Sequence, residues 1–118
     1  MQTTTQKYQA IDRNAIKAKL DRKDGFRLWN VLTKEYYKPD QNIPGSQWVP
    51  VDELEKRLPG LNAGKDEKIV VYCASFQCTA SKKAAATLAD LGFSKVFAYE
   101  GGLKDWSEAG FPLETIKG

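Results

Sequence analysis

The chain contains two cysteines, Cys73 and Cys78, and no histidine. Those counts exclude much. Without histidine there is no Ser-His-Asp or Cys-His catalysis and no His-containing metal site. Two cysteines cannot build a four-cysteine zinc site within one chain. Reactive chemistry is left to cysteine, lysine, tyrosine or carboxylates. Cys73 directly follows the apolar run Ile69-Val70-Val71-Tyr72, and a polar loop, residues 73–78, leads into an alanine-rich segment. In open α/β sheets, ligands gather at the carboxyl ends of strands. A short loop entering a helix can turn several backbone N–H groups toward one spot, and the helix N-terminus adds partial positive charge. Such a cradle stabilises a thiolate, a persulfide or a bound oxyanion without a general base. The competing reading of Cys73 is a small buried apolar residue that ends a strand. Position alone does not separate the two.

The elements that must position this loop can be read along the chain. Residues 1–10 are polar and read as a flexible N-terminal segment, with a single domain over 11–118. Asp12 can cap a helix over 13–22, with Ile16 and Leu20 on one face. Residues 26–31 alternate as a strand, 33–37 suit a helical turn, and Pro39 to Gly45 mark a loop. Residues 46–49 suit a short strand. Asp52 and Glu55 have capping-box spacing for a helix that ends at Pro59-Gly60. Residues 68–72 are β-branched, as expected of a strand buried on both faces. Residues 79–91 read as a helix closed by Gly92, and 95–99 as a strand. Gly101-Gly102 turns into a helix over 103–108, ended by Gly110, and Phe111-Pro112-Leu113 reads as a packed tail. Strands alternate with helices, so the fold class is α/β with a mainly parallel sheet. Trp29, Trp48 and Trp106 are candidates for the core, where large aromatics usually bury.

The 118 residues are enough for one domain with its own core, and too few for two catalytic domains. A net charge of +3, from 18 basic and 15 acidic residues spread along the chain, gives no nucleic-acid signal. No apolar run approaches the ~18–20 residues that span a bilayer, so no membrane role is expected. The polar start of the chain lacks a signal-peptide core. The expected setting is cytoplasmic, where two cysteines five positions apart read as reactive or inert rather than as a permanent bridge.

A set of ordered fragments carries a resemblance. They are Phe26-Arg27-Leu28-Trp29-Asn30-Val31, Ile43-Pro44-Gly45-Ser46 with Val49-Pro50, and Ile69-Val70-Val71-Tyr72-Cys73. Ala84-Ala85-Ala86-Thr87-Leu88 and Leu91-Gly92-Phe93 follow, then Glu100-Gly101-Gly102-Leu103 with Trp106 and Ala109-Gly110-Phe111-Pro112. Across residues 11–114 the chain resembles single-domain rhodaneses, sulfurtransferases of the thiosulfate-sulfurtransferase type. The resemblance implies a central, mainly parallel five-stranded sheet with helices on both faces. It also implies that Cys73 is the nucleophile, taking sulfane sulfur from a small donor to become a persulfide. The sulfur then passes to cyanide, a thiol or a protein cysteine. The backbone amides of Ala74, Ser75, Phe76, Gln77, Cys78 and Thr79 would form the cradle. No metal or organic cofactor is implied, since the cysteine itself carries the sulfur.

The chain also departs from the family pattern. Asn30 and Leu32 stand where many members carry Asp and Arg, and Asn42 stands where many carry His. Phe76 and Cys78 replace a usual Gly and a frequent Arg or Thr in the loop. Lys82 and Lys83 could supply electrostatic support for an anionic donor, or simply form a solvated helix face. The Ser75 hydroxyl could bond the persulfide or its own turn. Phe76 could line an apolar mouth or only cover the site. Cys78 could attack a persulfide or sulfenic acid on Cys73 and form an internal disulfide, as a redox switch or a sulfur-release device, or pack inertly. A related phosphatase group uses a longer cysteine loop followed by arginine. This chain has no arginine after Arg57, which argues against that chemistry. Besides the enzyme, two readings remain: a redox-sensing or sulfur-carrier interaction module that cycles Cys73–Cys78, and a catalytically silent scaffold.

Overall fold

The computed structural model describes residues 8–75 and 77–116. The first element is strand β1 (Gln9–Ala10), followed by helix α1 (Arg13–Asp21). The Asp12 carboxylate accepts the Ala15 N–H at 2.8 Å and so starts α1. Strands β2 (Arg27–Asn30) and β3 (Gln47–Trp48) are joined by an irregular loop. A 3-10 turn (Val51–Glu53) leads into helix α2 (Leu54–Leu61). Strand β4 (Lys68–Tyr72), helix α3 (Ala80–Asp90), strand β5 (Lys95–Tyr99) and helix α4 (Gly102–Glu108) complete the order.

Among the described residues five strands form one sheet in the order β1-β5-β4-β2-β3, with every pair parallel. The central strand β4 pairs with β2 on one side and β5 on the other, so Val71 lies opposite both Trp29 and Ala98. Its residues Ile69, Val70, Val71 and Tyr72 are fully buried, which is why the run is apolar rather than alternating. The connection from β1 to β2 crosses the sheet in one direction. Those from β3 to β4 and from β4 to β5 return in the other. Right-handed crossovers therefore put α1 on one face and α2 and α3 on the other. Helix α4 shares the face of α1: Arg13 Nη1 reaches the Asp105 carboxylate at 3.2 Å.

Three details differ from the sequence reading. Gln9 and Ala10, assigned to a flexible segment, pair with Phe97 and Ala98 at the sheet edge, while residues 1–7 lie outside the described residues. Strand β5 offers an unpaired backbone edge there, and edges attract any adjacent extended chain. Helix α2 runs through Pro59 to Leu61 instead of ending at Pro59-Gly60. Pro59 and the Glu55 residue one turn before it are exposed. Water can therefore serve the carbonyl that proline leaves without an N–H. Asn62, at φ 52°, makes the stop in the left-handed region. The Asp52 capping box does not form, because Val51–Glu53 wind as a 3-10 turn with no side-chain cap.

Trp29 and Trp106 are fully buried, but Trp48 is only half-buried and stacks on Tyr37 with ring centroids 4.0 Å apart. Its indole N–H donates to the Leu32 carbonyl at 2.7 Å, which ties β3 to the loop after β2. Helix α3 packs Ala84, Ala85 and Leu88 into the core. It closes with the Gly92 N–H on Ala89 and the Phe93 N–H on Leu88, both at 3.1 Å, as a Schellman ending does. Two substitutions separate packing from capping. Leu88→Ala is expected to cost roughly 2–5 kcal/mol in urea unfolding. Asp12→Ala is expected to cost about 1 kcal/mol.

Candidate functional site

Strand β4 delivers Cys73 to the carboxyl edge of the sheet, where the side chain is fully buried. The strand's last carbonyl, on Tyr72, accepts the Val31 N–H at 2.9 Å. Beyond it the backbone leaves the sheet, and its carbonyls need other donors. Helix α4 provides them. The Leu103 N–H donates to Cys73 at 3.0 Å and the Lys104 N–H to Ala74 at 2.8 Å. Early N–H groups of a helix have no partner within it, so they are free for this use. The approach is close enough that a Cβ on Gly102 would collide with the Cys73 carbonyl oxygen and lie 2.8 Å from the Ala74 carbonyl carbon. Gly102 also has φ of 62°. Both facts restrict the position to glycine.

The loop closes on itself. Cys73 and Cys78 are joined as a disulfide with Cα atoms 6.4 Å apart, inside the range of about 4.4–6.8 Å that such a bond spans. The Cys78 N–H donates to the Ser75 carbonyl at 3.0 Å, and the Gln77 N–H to Ser75 Oγ at 3.3 Å. Two of the amides assigned to a sulfur cradle are therefore spent inside the loop. With the Cys73 sulfur bonded to Cys78, there is no anion to gather them. The Ser75 hydroxyl accordingly serves its own turn. Phe76 lies outside the described residues. Thr79 is exposed and precedes α3 without a side-chain cap.

Lys82 and Lys83 lie in the first turns of α3, as the sequence suggests. Lys82 Nζ lies 3.6 Å from Glu100 Oε1, so its charge is shared with a carboxylate. Lys83 is exposed on α3. Lys104, which the sequence reading passed over, lines both clefts beside the loop. One, of about 180 Å³, also touches Ser75 and Gln77, and the other, of about 340 Å³, touches Ala74. Its only sequence signal is its place directly after Glu100-Gly101-Gly102-Leu103.

Two further groups brace the site. Asn30 Nδ2 donates to Asn42 Oδ1 at 3.0 Å, and Asn42 Nδ2 to the Pro39 carbonyl at 3.0 Å. The Tyr72 hydroxyl accepts the Ile43 N–H at 3.1 Å and lies 2.7 Å from Ser46 Oγ. These bonds pin residues 42–46 to the end of β4, one residue before Cys73. Burial pushes the Tyr72 phenol up, so it stays a neutral hydroxyl. The two asparagines stood out in the sequence only as separate departures from a pattern. The structure shows that they are one buried, uncharged contact. On the other side, the Tyr99 hydroxyl donates to Asp105 Oδ2 at 2.6 Å and holds α4 against β5. Burial, followed by that carboxylate, also raises Tyr99.

This arrangement of a buried strand, a cysteine loop and a glycine-led helix can be compared with known proteins. The rhodanese-like domain profile matches residues 12–109. The chain belongs to the rhodanese-like domain family. Among curated relatives of this domain, the putative sulfur carrier protein YrkF of Bacillus subtilis is 33% identical over 97 residues, which are 82% of this chain and 50% of that protein. The chain thus spans half the length of that relative. The Anabaena protein Alr3790 superposes with a TM-score of 0.78 at 28% identity, covering 90% of this chain and 92% of that one. The human single-domain sulfurtransferase TSTD1 superposes with a TM-score of 0.71 at 21% identity, covering 84% and 95% of the two chains, and shares the fold. Among the described residues there is no cluster of side chains suited to a metal ion, and no helix long and apolar enough to cross a membrane.

The contact at Gly102 can be tested directly. Gly102→Ala is expected to destabilise the domain by roughly 1–3 kcal/mol from backbone strain alone. A thermal midpoint unchanged from wild type would mean that α4 does not press on the loop.

Proposed function

We propose that this rhodanese-like domain, folding as one unit over residues 11–118, is a sulfurtransferase that carries sulfane sulfur on Cys73. The observation that supports the reading most is the position of Cys73. It sits at the carboxyl end of the buried central strand and heads the loop that enters α3. The name of YrkF, a putative sulfur carrier protein, points to related chemistry.

The reaction starts from the reduced loop. The Cys73 thiolate attacks the terminal sulfur of the donor. With thiosulfate, the bond from that sulfur to the sulfite group breaks, and sulfite leaves with the electron pair. Cys73 becomes a persulfide. A thiol, cyanide or a protein cysteine then attacks the outer sulfur, and the Cys73 thiolate departs with its electrons. Both intermediates are anions at the head of a helix. The partial charge at the N-terminus of α3 and the amides of residues 74–79 favour them once the disulfide is open. That requirement for the reduced form suits a cytoplasmic setting. Lys104 and Lys38, which line the cleft beside Ala74 with no carboxylate among its described lining residues, are the cations best placed for an anionic donor, whereas Lys82 is already paired.

Intact mass after treatment of the reduced protein with thiosulfate or a polysulfide donor provides the test. With Cys78 replaced by serine, so that nothing in the loop can discharge it, the protein is expected to gain one sulfur atom on Cys73, and Cys73→Ser none. No adduct with any donor, together with no turnover, would remove the enzyme reading.

A second reading is favoured by the disulfide itself: a redox-sensing or sulfur-carrier interaction module in which Cys73–Cys78 cycling alters partner binding. Peroxide would oxidise Cys73 to the sulfenic acid, and the Cys78 thiol would condense with it, releasing water. Free thiols counted after peroxide should fall to none in wild type. Intact mass should then show wild type two hydrogens lighter and Cys78→Ser heavier by oxygen; a wild type that gains oxygen as Cys78→Ser does would exclude this role for Cys78.

A further inference from the structure

The two cysteines of the loop are unequal. Cys73 has no exposed surface, whereas Cys78 is only half-buried. That burial belongs to the disulfide form, in which Cys78 caps the Cys73 sulfur; once the loop opens a donor reaches Cys73, and the sulfur it adds lies outermost. Cys78 has the opposite access, because the loop brings its sulfur into a bond with the Cys73 sulfur. On a persulfide these are two different targets. The outer sulfur faces external acceptors, and the inner sulfur faces Cys78.

We propose that Cys78 discharges the Cys73 persulfide as hydrogen sulfide, an activity distinct from transfer to an external acceptor. The inference rests on the Cys73 persulfide proposed above. In the step, the Cys78 thiolate attacks the inner sulfur, Cys73 Sγ. The Cys73–Cys78 disulfide forms, and the bond from Cys73 Sγ to the sulfane sulfur breaks. The sulfane sulfur leaves with the electron pair as hydrosulfide. Its two-electron reduction is matched by the oxidation of two cysteine thiols to one disulfide. The disulfide form is then the product of a turnover.

Three features of the fold favour the step. Cys78 lies two residues before the first residue of the 11-residue helix α3, and a helix N-terminus favours a thiolate. Attack within one loop needs no bimolecular encounter. Hydrosulfide is less basic than an alkyl thiolate, and the less basic sulfur leaves faster. The same difference in exposure orders the reset. A dithiol reductant, the co-reactant of the cycle, reaches the sulfur of Cys78. Cys73 is expelled as the thiolate, and the second reductant thiol resolves the mixed disulfide.

The experiment uses reduced full-length protein, freed of reductant without oxygen and without any acceptor. Thiosulfate or a thiosulfonate is added, and sulfide, free thiols and intact mass are followed. Wild type is expected to release about one sulfide per chain, lose both thiols and end at the disulfide mass. Adding a dithiol should restart release. Cys78→Ser and Cys78→Ala, each checked for native circular dichroism, should hold the persulfide and release sulfide roughly tenfold more slowly or less. A wild-type persulfide that persists without sulfide would overturn the inference and leave the transferase reading intact. Sulfide release from both variants at the wild-type rate would do the same. If neither variant gains sulfur from any donor, the Cys73 reading fails and this one with it.

Discussion

Two carbonyl groups, on Cys73 and Ala74, leave the end of the central strand with no neighbouring strand to serve them, and the start of α4 answers both. The rest of the site depends on that contact. It holds the backbone of the cysteine still while the side chains that follow form a loop. It uses N–H groups that a helix start would otherwise leave to water. It also requires a residue without a side chain at Gly102, because the helix backbone lies against the Cys73 carbonyl. The helix is then anchored from its far side. Asp105 takes the Tyr99 hydroxyl and Arg13, and Trp106 is buried with its indole N–H on the Pro112 carbonyl at 2.7 Å.

The opposite flank is held by neutral groups. Asn30, Asn42, Ser46 and Tyr72 form a buried polar cluster between β2, β4 and the loop that precedes β3. None of them changes charge in the ordinary pH range, the phenol of Tyr72 being pushed up by burial. An ion pair in this place would have to meet the cost of burying two charges. Here the bonds are made without that cost. The price of this neutrality is that the flank contributes no charge to the site. The nearby cations come from Lys104 and Lys38 at the clefts and from Lys82, the last shared with Glu100.

Much of the fold is legible along the chain. Asp12 announces α1, the β-branched run 69–71 announces a buried central strand, and Gly92 announces the end of α3, because each signal acts on its own neighbours in sequence. Local signals misled where exposure decides the outcome. Pro59 does not stop α2, since solvent serves the carbonyl it leaves free. Trp48 stays half-buried because it lies on the edge strand β3 and stacks on the half-buried Tyr37. Gln9 and Ala10 show nothing in composition that predicts a strand. Their pairing comes from the open edge of β5.

For the site, the sequence alone determined which chemistry was available: two cysteines, no histidine, and a strand–loop–helix order that puts Cys73 at the head of a loop. It also held Gly101-Gly102, but as a turn into a helix. Only the tertiary structure made that helix the clamp on the loop, joined Asn30 to Asn42, paired Lys82 with Glu100, and buried Cys73 while leaving Cys78 half open. The reason is the same in each case. Residue types set what a group can do, and their local spacing sets helices, strands and turns. Which hydrogen bonds close, which charges meet and which sulfur faces solvent depend on segments up to 92 positions apart, brought together when the sheet assembles.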